Sequence, residues 1–427
     1  MKLTSLDPWI KQKTFASDLA DWQLLKLNET LALARGKSAF YRKHLAGMPE
    51  KLENLADFRQ FPFTTPEDVR ENPLRFVCVS QDEIRRVVTL QSSGTTGEPK
   101  RIYFTAEDQE LTIDFFGAGM STLTEPGERV LIFLPGETPG SVGDLLRLGL
   151  ARQDRIPLPY GPVRDPNHAL ETMSRAGTGT NSEREQADCL VGSPTQILGL
   201  ARRWNPRNKA PRTVLLSTDY VPAAIVRELE RIWGCEVFNH YGATEMGLGG
   251  GVECEAHRGY HLREADLYFE IVNPESGEPV PDGEYGEVVF TTLTRRGMPL
   301  IRYRIGDRSR FVPGKCPCET GLRTLEKVRG RFSGFVSVGD ETLKLPDFDE
   351  ALFPIPGLLN FSVTVTGVGA EASLLVETQM LTNVDSTSLV EQALRGVSSI
   401  KTVVRCHHNP HEVGNLLKRV LKRGQNA

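Results

Sequence analysis

Residues 91–100, QSSGTTGEPK, place two serines, two threonines, two glycines, a proline and a lysine in one short run. Glycines let a backbone bend until several N–H groups converge on one anion, hydroxyls add donors, and a lysine adds charge. The run follows the β-like RRVVTLQ, as a phosphate-binding loop hung on a strand end would. It lacks the G-x-x-x-x-G-K-[ST] spacing, so it is not a Walker A loop. Read alone, such a stretch is more often a plain surface loop.

Three later segments change that balance. HYGATEMG (240–247) puts Tyr241, Gly242, Thr244 and Glu245 just after the strand-like CEVFN. An aromatic face, a glycine, a hydroxyl and a carboxylate are the groups needed to stack a purine, admit it closely, bind a phosphate oxygen and hold Mg²⁺. MPLIRYRIGDRSRF (298–311) offers Asp307, able to take two ribose hydroxyls, among Arg302, Arg304, Arg308 and Arg310. A salt bridge to a neighbouring arginine is the alternative role for Asp307. KVRGRFSG (327–334) adds Arg331 after a glycine.

A second chemistry is written in cysteines. CEAH (254–257) is a C-x-x-H pair, and CPC (316–318) follows some sixty residues later. Brought together, Cys254, Cys316 and Cys318 with one histidine would form a closed Cys₃His site suited to structural Zn²⁺. His257 and His261 compete for the fourth position. Without metal these would be reduced surface thiols. Cys78, Cys189, Cys235 and Cys406 stand apart among apolar neighbours and read as small buried hydrophobes.

The elements that must position these groups are legible as patterns. The chain has 427 residues, 39% apolar and 25% charged, which fits a soluble protein of two or three domains. A net charge of −4 is too small to argue for nucleic-acid or membrane partners. No apolar run approaches the roughly 20 residues of a membrane span, and the N-terminus has no apolar signal region. A cytoplasmic location is expected. Residues 1–75 read as helical and amphipathic. Short β-rich runs then recur (RRVVTL, RVLIFLP, DCLVGSP, TVLLSTD, CEVFNHYG), separated by helical stretches such as VPAAIVRELERIWG. That alternation predicts parallel strands with crossover helices. From about 265 two strand runs joined by a Gly/Pro/Asn/Asp-rich turn predict an antiparallel meander. Past about 330, short strands and helices mix again. The fold class expected is therefore α/β: a large N-terminal domain (1–330) with doubly wound, mostly parallel sheets plus the meander, and a small C-terminal α+β domain (331–427).

In their order, SSGTTGEPK, YGATE, RYRIGD and GRFSG resemble the adenylate-forming (AMP-binding) superfamily of acyl-CoA ligases. SAFYRKHL, FRQFPFTTPEDVRENP and FTTLTRRGMPLIRYR resemble its phenylacetate–CoA ligase branch in particular. The resemblance runs from about 35 to 335. It implies that Ser92, Ser93, Gly94, Thr95, Thr96, Gly97 and Lys100 wrap the β- and γ-phosphates of ATP. Tyr241 would stack on adenine, Thr244 would bond the α-phosphate, and Glu245 would bind Mg²⁺. Asp307 would hold the ribose, and Arg331 would contact ribose or phosphate. It further implies a carboxylic acid substrate, acyl-AMP as intermediate, and CoA or another nucleophile as acceptor. Some members of the branch carry a similar C…C-x-C arrangement.

Three departures qualify the transfer. The strand before YGATE ends LLSTDYVP, with Ser217 and Thr218 where the family has a glycine pair and Asp219 as the acid lining the adenine pocket. The hinge reads GRFSGF, without the family's acidic residue. VGNLLKRVL places Leu416 where the family supplies an adenylation lysine, with Lys418 as the nearby substitute. These departures motivate a competing reading, a nucleotide-binding relative without ligase turnover. A homodimer is one assembly to test.

Overall fold

The computed structural model describes residues 4–90, 99–174, 186–332, 334–367, 371–383, 385–408 and 419–424. The expected phosphate loop residues Ser92 to Gly97, together with Leu416 and Lys418, lie outside the described residues. Two compact units emerge. The first comprises residues 1–125, 138–154 and 240–328; the second comprises 126–137, 155–239 and 329–427.

In the second unit, five strands run parallel in the order Ile156–Pro159, Arg129–Ile132, Cys189–Gly192, Thr213–Leu216, Glu236–Tyr241, the last strand ending in the first unit. CLVG and TVLL are buried at every position, as unbroken apolar runs covered on both faces should be. Crossover helices Pro194–Ala201 and Ala223–Trp233 pack on this sheet. The first starts with proline at its opening turn and the second stops at Gly234, in the left-handed region at φ +61°. The same apolar core takes in Phe348, Leu352, Phe361, Leu374 and Val376. Those residues belong to a mixed four-stranded sheet, ordered Lys401–His408, Ser373–Met380, Leu358–Thr366, Val420–Arg423, and to helix Leu345–Leu352.

The first unit holds the N-terminal helices Leu6–Lys13, Leu19–Lys37 and Ala39–His44. Its antiparallel sheet Leu267–Val272, Gly286–Thr292, Tyr303–Ser309 is the expected meander with a third strand added. RRVVTL departs from the parallel expectation. It forms the strand Ile84–Leu90, which pairs antiparallel with Lys100–Thr105. Only nine residues separate the two strands, fewer than the dozen or more that a parallel crossover connection needs. Helix Ala106–Met120 follows, opened by a capping box in which the Thr105 side chain and Asp108 each accept the other's backbone N–H.

Cys78, Cys189 and Cys235 are buried, and burial pushes each thiol up to about 12. Cys406 differs from the sequence expectation. It is only half-buried, because its strand Lys401–His408 lies at the edge of the four-stranded sheet. No helix among the described residues is long and apolar enough to cross a membrane.

Candidate active site

The site is built in the first unit by three segments far apart in sequence. Strand Glu236–Tyr241 ends at Tyr241, and the chain turns immediately through Gly242, Ala243 and the single helical turn Thr244–Met246. Backbone bonds from Leu248 N–H to Ala243 C=O (2.8 Å) and from Gly250 N–H to Tyr241 C=O (2.9 Å) close the loop on itself. Gly247 and Leu248 sit in the left-handed region, at φ +74° and +69°. Gly242 is needed for another reason. A Cβ there would stand 2.0 Å from the Leu248 carbonyl oxygen. Gly242→Ala is therefore expected to break the loop, lowering the melting temperature and abolishing nucleotide binding, as thermal unfolding with and without AMP would show.

The closed loop turns Glu245 inward, where it is 4% exposed. Its carboxylate pairs with the Lys100 ammonium, at the start of strand Lys100–Thr105. Lys100 also donates to the Tyr303 hydroxyl at 2.9 Å, and that hydroxyl lies 3.4 Å from Glu245 Oε1. A few residues along the Tyr303 strand, Asp307 accepts a 2.9 Å hydrogen bond from the Tyr241 hydroxyl. One face of the Tyr241 ring stacks on Tyr260, with centroids 5.5 Å apart. The structure thus brings together Lys100, Tyr241, Glu245 and Asp307. Thr244 lies in the same loop, half-buried. Ser217, Asp219 and Arg331 belong to the second unit, where Ser217 N–H extends the parallel ladder to Gly192 C=O (3.0 Å) and Arg331 is exposed.

Tyr303 is the member of this cluster that sequence reasoning passed over. Its signal was its place at the head of Y-R-x-G-D, three residues before a glycine that bulges the strand. Gly306 has φ +81°, and the register slips opposite it between Glu287 and Val289. The surrounding arginines hold the frame. Arg302, 1% exposed, makes a two-pronged pair with Glu270 (2.9 and 3.1 Å) and donates to the carbonyls of Arg59 and Phe61. Arg304 pairs with Glu287, and Arg310 with Glu326. Glu270→Ala would leave the Arg302 guanidinium buried and uncompensated. The expected loss is about 3–5 kcal/mol of unfolding free energy, measurable by denaturant titration.

The cysteine pairs also converge. One donor atom each from Cys254, His261, Cys316 and Cys318, all buried, lie within 4.8 Å of one another. Cys254 and Cys316 sulfurs are 3.7 Å apart, and His261 Nε2 is 3.2 Å from Cys254 and 3.3 Å from Cys318. A disulfide needs about 2.05 Å. A tetrahedral zinc with Zn–S near 2.3 Å and Zn–N near 2.0–2.1 Å spaces its sulfurs about 3.8 Å apart and sulfur from nitrogen about 3.6 Å. The donor set fits that ion. Thr324 Oγ1, 3.4 Å from His261 Nδ1, is placed to fix the ring from behind. His257 is not among the four. It turns out at φ +48°, and its Nδ1 faces Glu253 at 3.5 Å.

With fold and site in view, the lineage is plain: the chain belongs to the AMP-binding enzyme family, whose profile matches residues 50–293. Within that family it falls on the phenylacetate–CoA ligase-like branch. It is similar to the phenylacetate-coenzyme A ligase of Escherichia coli (strain K12), 26% identical over 438 residues that cover 96% of each chain. It is 29% identical to the phenylacetate-coenzyme A ligase of Pseudomonas putida over 329 residues, 73% of this chain and 70% of that one. A crystal structure of 2-hydroxyisobutyryl-CoA ligase in complex with R3-HIB-AMP, in the postadenylation state, shares the fold. Its TM-score is 0.75 at 21% identity, over 93% of this chain and 86% of that one.

Proposed function

We propose that the chain is an ATP-dependent acid–CoA ligase acting on a small aromatic carboxylic acid. In the first step the substrate carboxylate oxygen attacks the α-phosphorus of ATP. The new C–O–P bond gives acyl-AMP, and the α–β phosphoanhydride breaks to release pyrophosphate. In the second, the CoA thiol, losing its proton, attacks the acyl carbon and AMP departs. The observation that carries this reading is the meeting of Lys100, Glu245 and Tyr303 beside the Tyr241–Asp307 bond. The relatives named above support CoA as acceptor and an aromatic acid as substrate.

The chemistry needs positioned charge more than covalent help. Lys100 and Glu245 neutralise one another in the described structure. With nucleotide present, Lys100 would turn to a phosphate oxygen, joined by Ser92, Ser93, Gly94, Thr95, Thr96 and Gly97. Glu245 would hold Mg²⁺, which supplies charge neutralisation on the phosphates when bound. Thr244 would bond the α-phosphate, Asp307 the ribose and the Tyr241 ring the adenine. Gly242, lacking a Cβ, would let the base approach, and Ser217, Asp219 and Arg331 are the further nucleotide contacts of this reading. A hinge near 330, with residues 331–427 as a lid, belongs to the same reading, as do Lys418 as a contributing cation, a cytoplasmic location and a homodimer.

A structural zinc on Cys254, His261, Cys316 and Cys318 completes the reading. Four protein donors leave no open position, so the ion would pin loops rather than act on substrate. Product analysis tests the whole: with ATP, Mg²⁺, CoA and phenylacetate or a related aryl acid, acyl-CoA and AMP should appear in equal amounts. Formation of ADP and inorganic phosphate instead would refute it.

A further inference from the structure

Asp219, read above as the acid of the adenine pocket, does not stand alone in the second unit. The residue before it, Thr218, is held at φ +74°, a left-handed conformation unfavourable for a β-branched side chain. Backbone strain of this kind persists only where neighbours over-determine the segment, and it gathers at functional sites. The neighbours here come from two places. Helix Leu345–Leu352 sends Glu350, whose carboxylate accepts from the Tyr220 hydroxyl (3.1 Å) and from the N–H groups of Ala223 (2.7 Å) and Ala224 (3.2 Å). These cap helix Ala223–Trp233, whose own capping residue Pro222 makes no side-chain cap bond. The second neighbour is Arg419, immediately before strand Val420–Arg423.

The Arg419 side chain is 1% exposed. It donates to the Tyr220 carbonyl at 3.1 Å, lies 3.4 Å from Asp219 Oδ2, and sets its Nε 2.8 Å from Asp349 Oδ1. Asp349 is fully buried, and burial pushes its carboxyl up to about 8, against the pull of Arg419. One guanidinium therefore serves two carboxylates and a carbonyl, and the exposed member of the set is Asp219, whose side chain is 30% exposed.

We propose that Arg419 is a positioning residue for nucleotide binding, fixing the Ser217–Tyr220 turn and the Asp219 carboxylate from the C-terminal segment. The proposal rests on the reading of Asp219 as a nucleotide contact. It makes Arg419 the described cation through which the last twenty residues bear on the nucleotide. It acts through a carboxylate rather than on a phosphate.

The test is AMP affinity by equilibrium dialysis, which needs no turnover, on the full-length chain carrying Arg419→Met, Arg419→Lys, Asp219→Asn and the Arg419→Met/Asp219→Asn pair. Arg419→Met should weaken AMP binding about tenfold, close to 1.4 kcal/mol. Arg419→Lys should recover part of that, since the charge remains but the planar fork is lost. The double variant should bind no worse than Asp219→Asn alone, because the two residues act as one unit. In ATP–pyrophosphate exchange, the ATP KM should rise while kcat and the KM of the acid stay within twofold. Asp349 can accept a proton once Arg419 is gone, so Arg419→Met need not strand a buried charge. Should it nevertheless fail to fold, Arg419→Lys and Asp219→Asn carry the comparison. Unchanged AMP affinity in Arg419→Met or Arg419→Lys, strictly additive losses in the double variant, or a fall in melting temperature with normal affinity would each overturn the proposal. So would normal affinity in Asp219→Asn. The ligase reading fails on a separate result, exchange absent with every carboxylic acid in folded wild-type protein that still binds AMP.

Discussion

Lys100→Ala and Glu245→Gln are each expected to lower acid-dependent ATP–pyrophosphate exchange by a factor of about 10²–10³. That is the loss, roughly 2.7–4 kcal/mol of barrier, seen when one preorganised charge-stabilising group leaves an active site. The two residues form a buried pair, so the variants differ in what they leave behind. Alanine at 100 strands the Glu245 carboxylate beside the Tyr303 hydroxyl, still 3.4 Å away. Glutamine at 245 keeps the size of the side chain but removes the charge that would hold Mg²⁺, so its deficit should narrow at high Mg²⁺ less than a simple affinity loss would. Tyr303→Phe removes only a neutral hydroxyl that accepts from Lys100. Its effect should be closer to tenfold, in line with the lower end of the roughly 1.5–3 kcal/mol of a hydrogen bond to a charged group. Near-wild-type exchange in folded Lys100→Ala and Glu245→Gln proteins would remove this site from the mechanism.

The second large effect belongs to the metal. Protein purified without chelator should contain one Zn²⁺ per chain by elemental analysis, and Cys316→Ser/Cys318→Ser should contain none. Structural zinc contributes its binding free energy to folding. Losing it should lower the melting temperature by roughly 10 °C, several kcal/mol at about 2–4 °C per kcal/mol for a body of this size. His257→Ala should keep the metal and His261→Ala should lose it. Metal-free wild type, or a double variant that retains its zinc, would contradict the assignment.

That histidine choice shows where the sequence was readable and where it was not. C-x-x-H spacing favours His257, four residues nearer the strand that ends at Glu253. Cross-strand register decides otherwise. His261 pairs with Thr324 in the antiparallel ladder, and that pairing sets its ring beside Cys318. Register between distant strands leaves no local trace, so both candidates looked alike. The same blindness affected RRVVTL, whose apolar content announced a strand but not its antiparallel partner. The arginines of RYRIGDRSR read as possible ion-pair partners for Asp307, yet Arg302, Arg304 and Arg310 pair with Glu270, Glu287 and Glu326. Their acidic partners lie 16–32 residues away in sequence, beyond any motif window.

What was legible rests on short-range physics. CLVG and TVLL lack polar alternation, and only a sheet covered on both faces buries such runs whole. The strand end at YGATE was legible too, but Gly242, read as room for a purine, is required because the Leu248 carbonyl occupies the space a Cβ would need. Asp307 has a protein partner in the Tyr241 hydroxyl, itself one of the expected nucleotide contacts.

The most direct measurement is ATP–pyrophosphate exchange by the wild-type protein against a panel of carboxylic acids, with Mg²⁺ and without CoA. Labelled pyrophosphate should enter ATP only when an acid is present, fastest with phenylacetate or a close aryl relative, and Lys100→Ala should show background label alone. Exchange absent with every acid, in folded protein that binds AMP, would contradict the ligase and leave a nucleotide-binding protein without this chemistry.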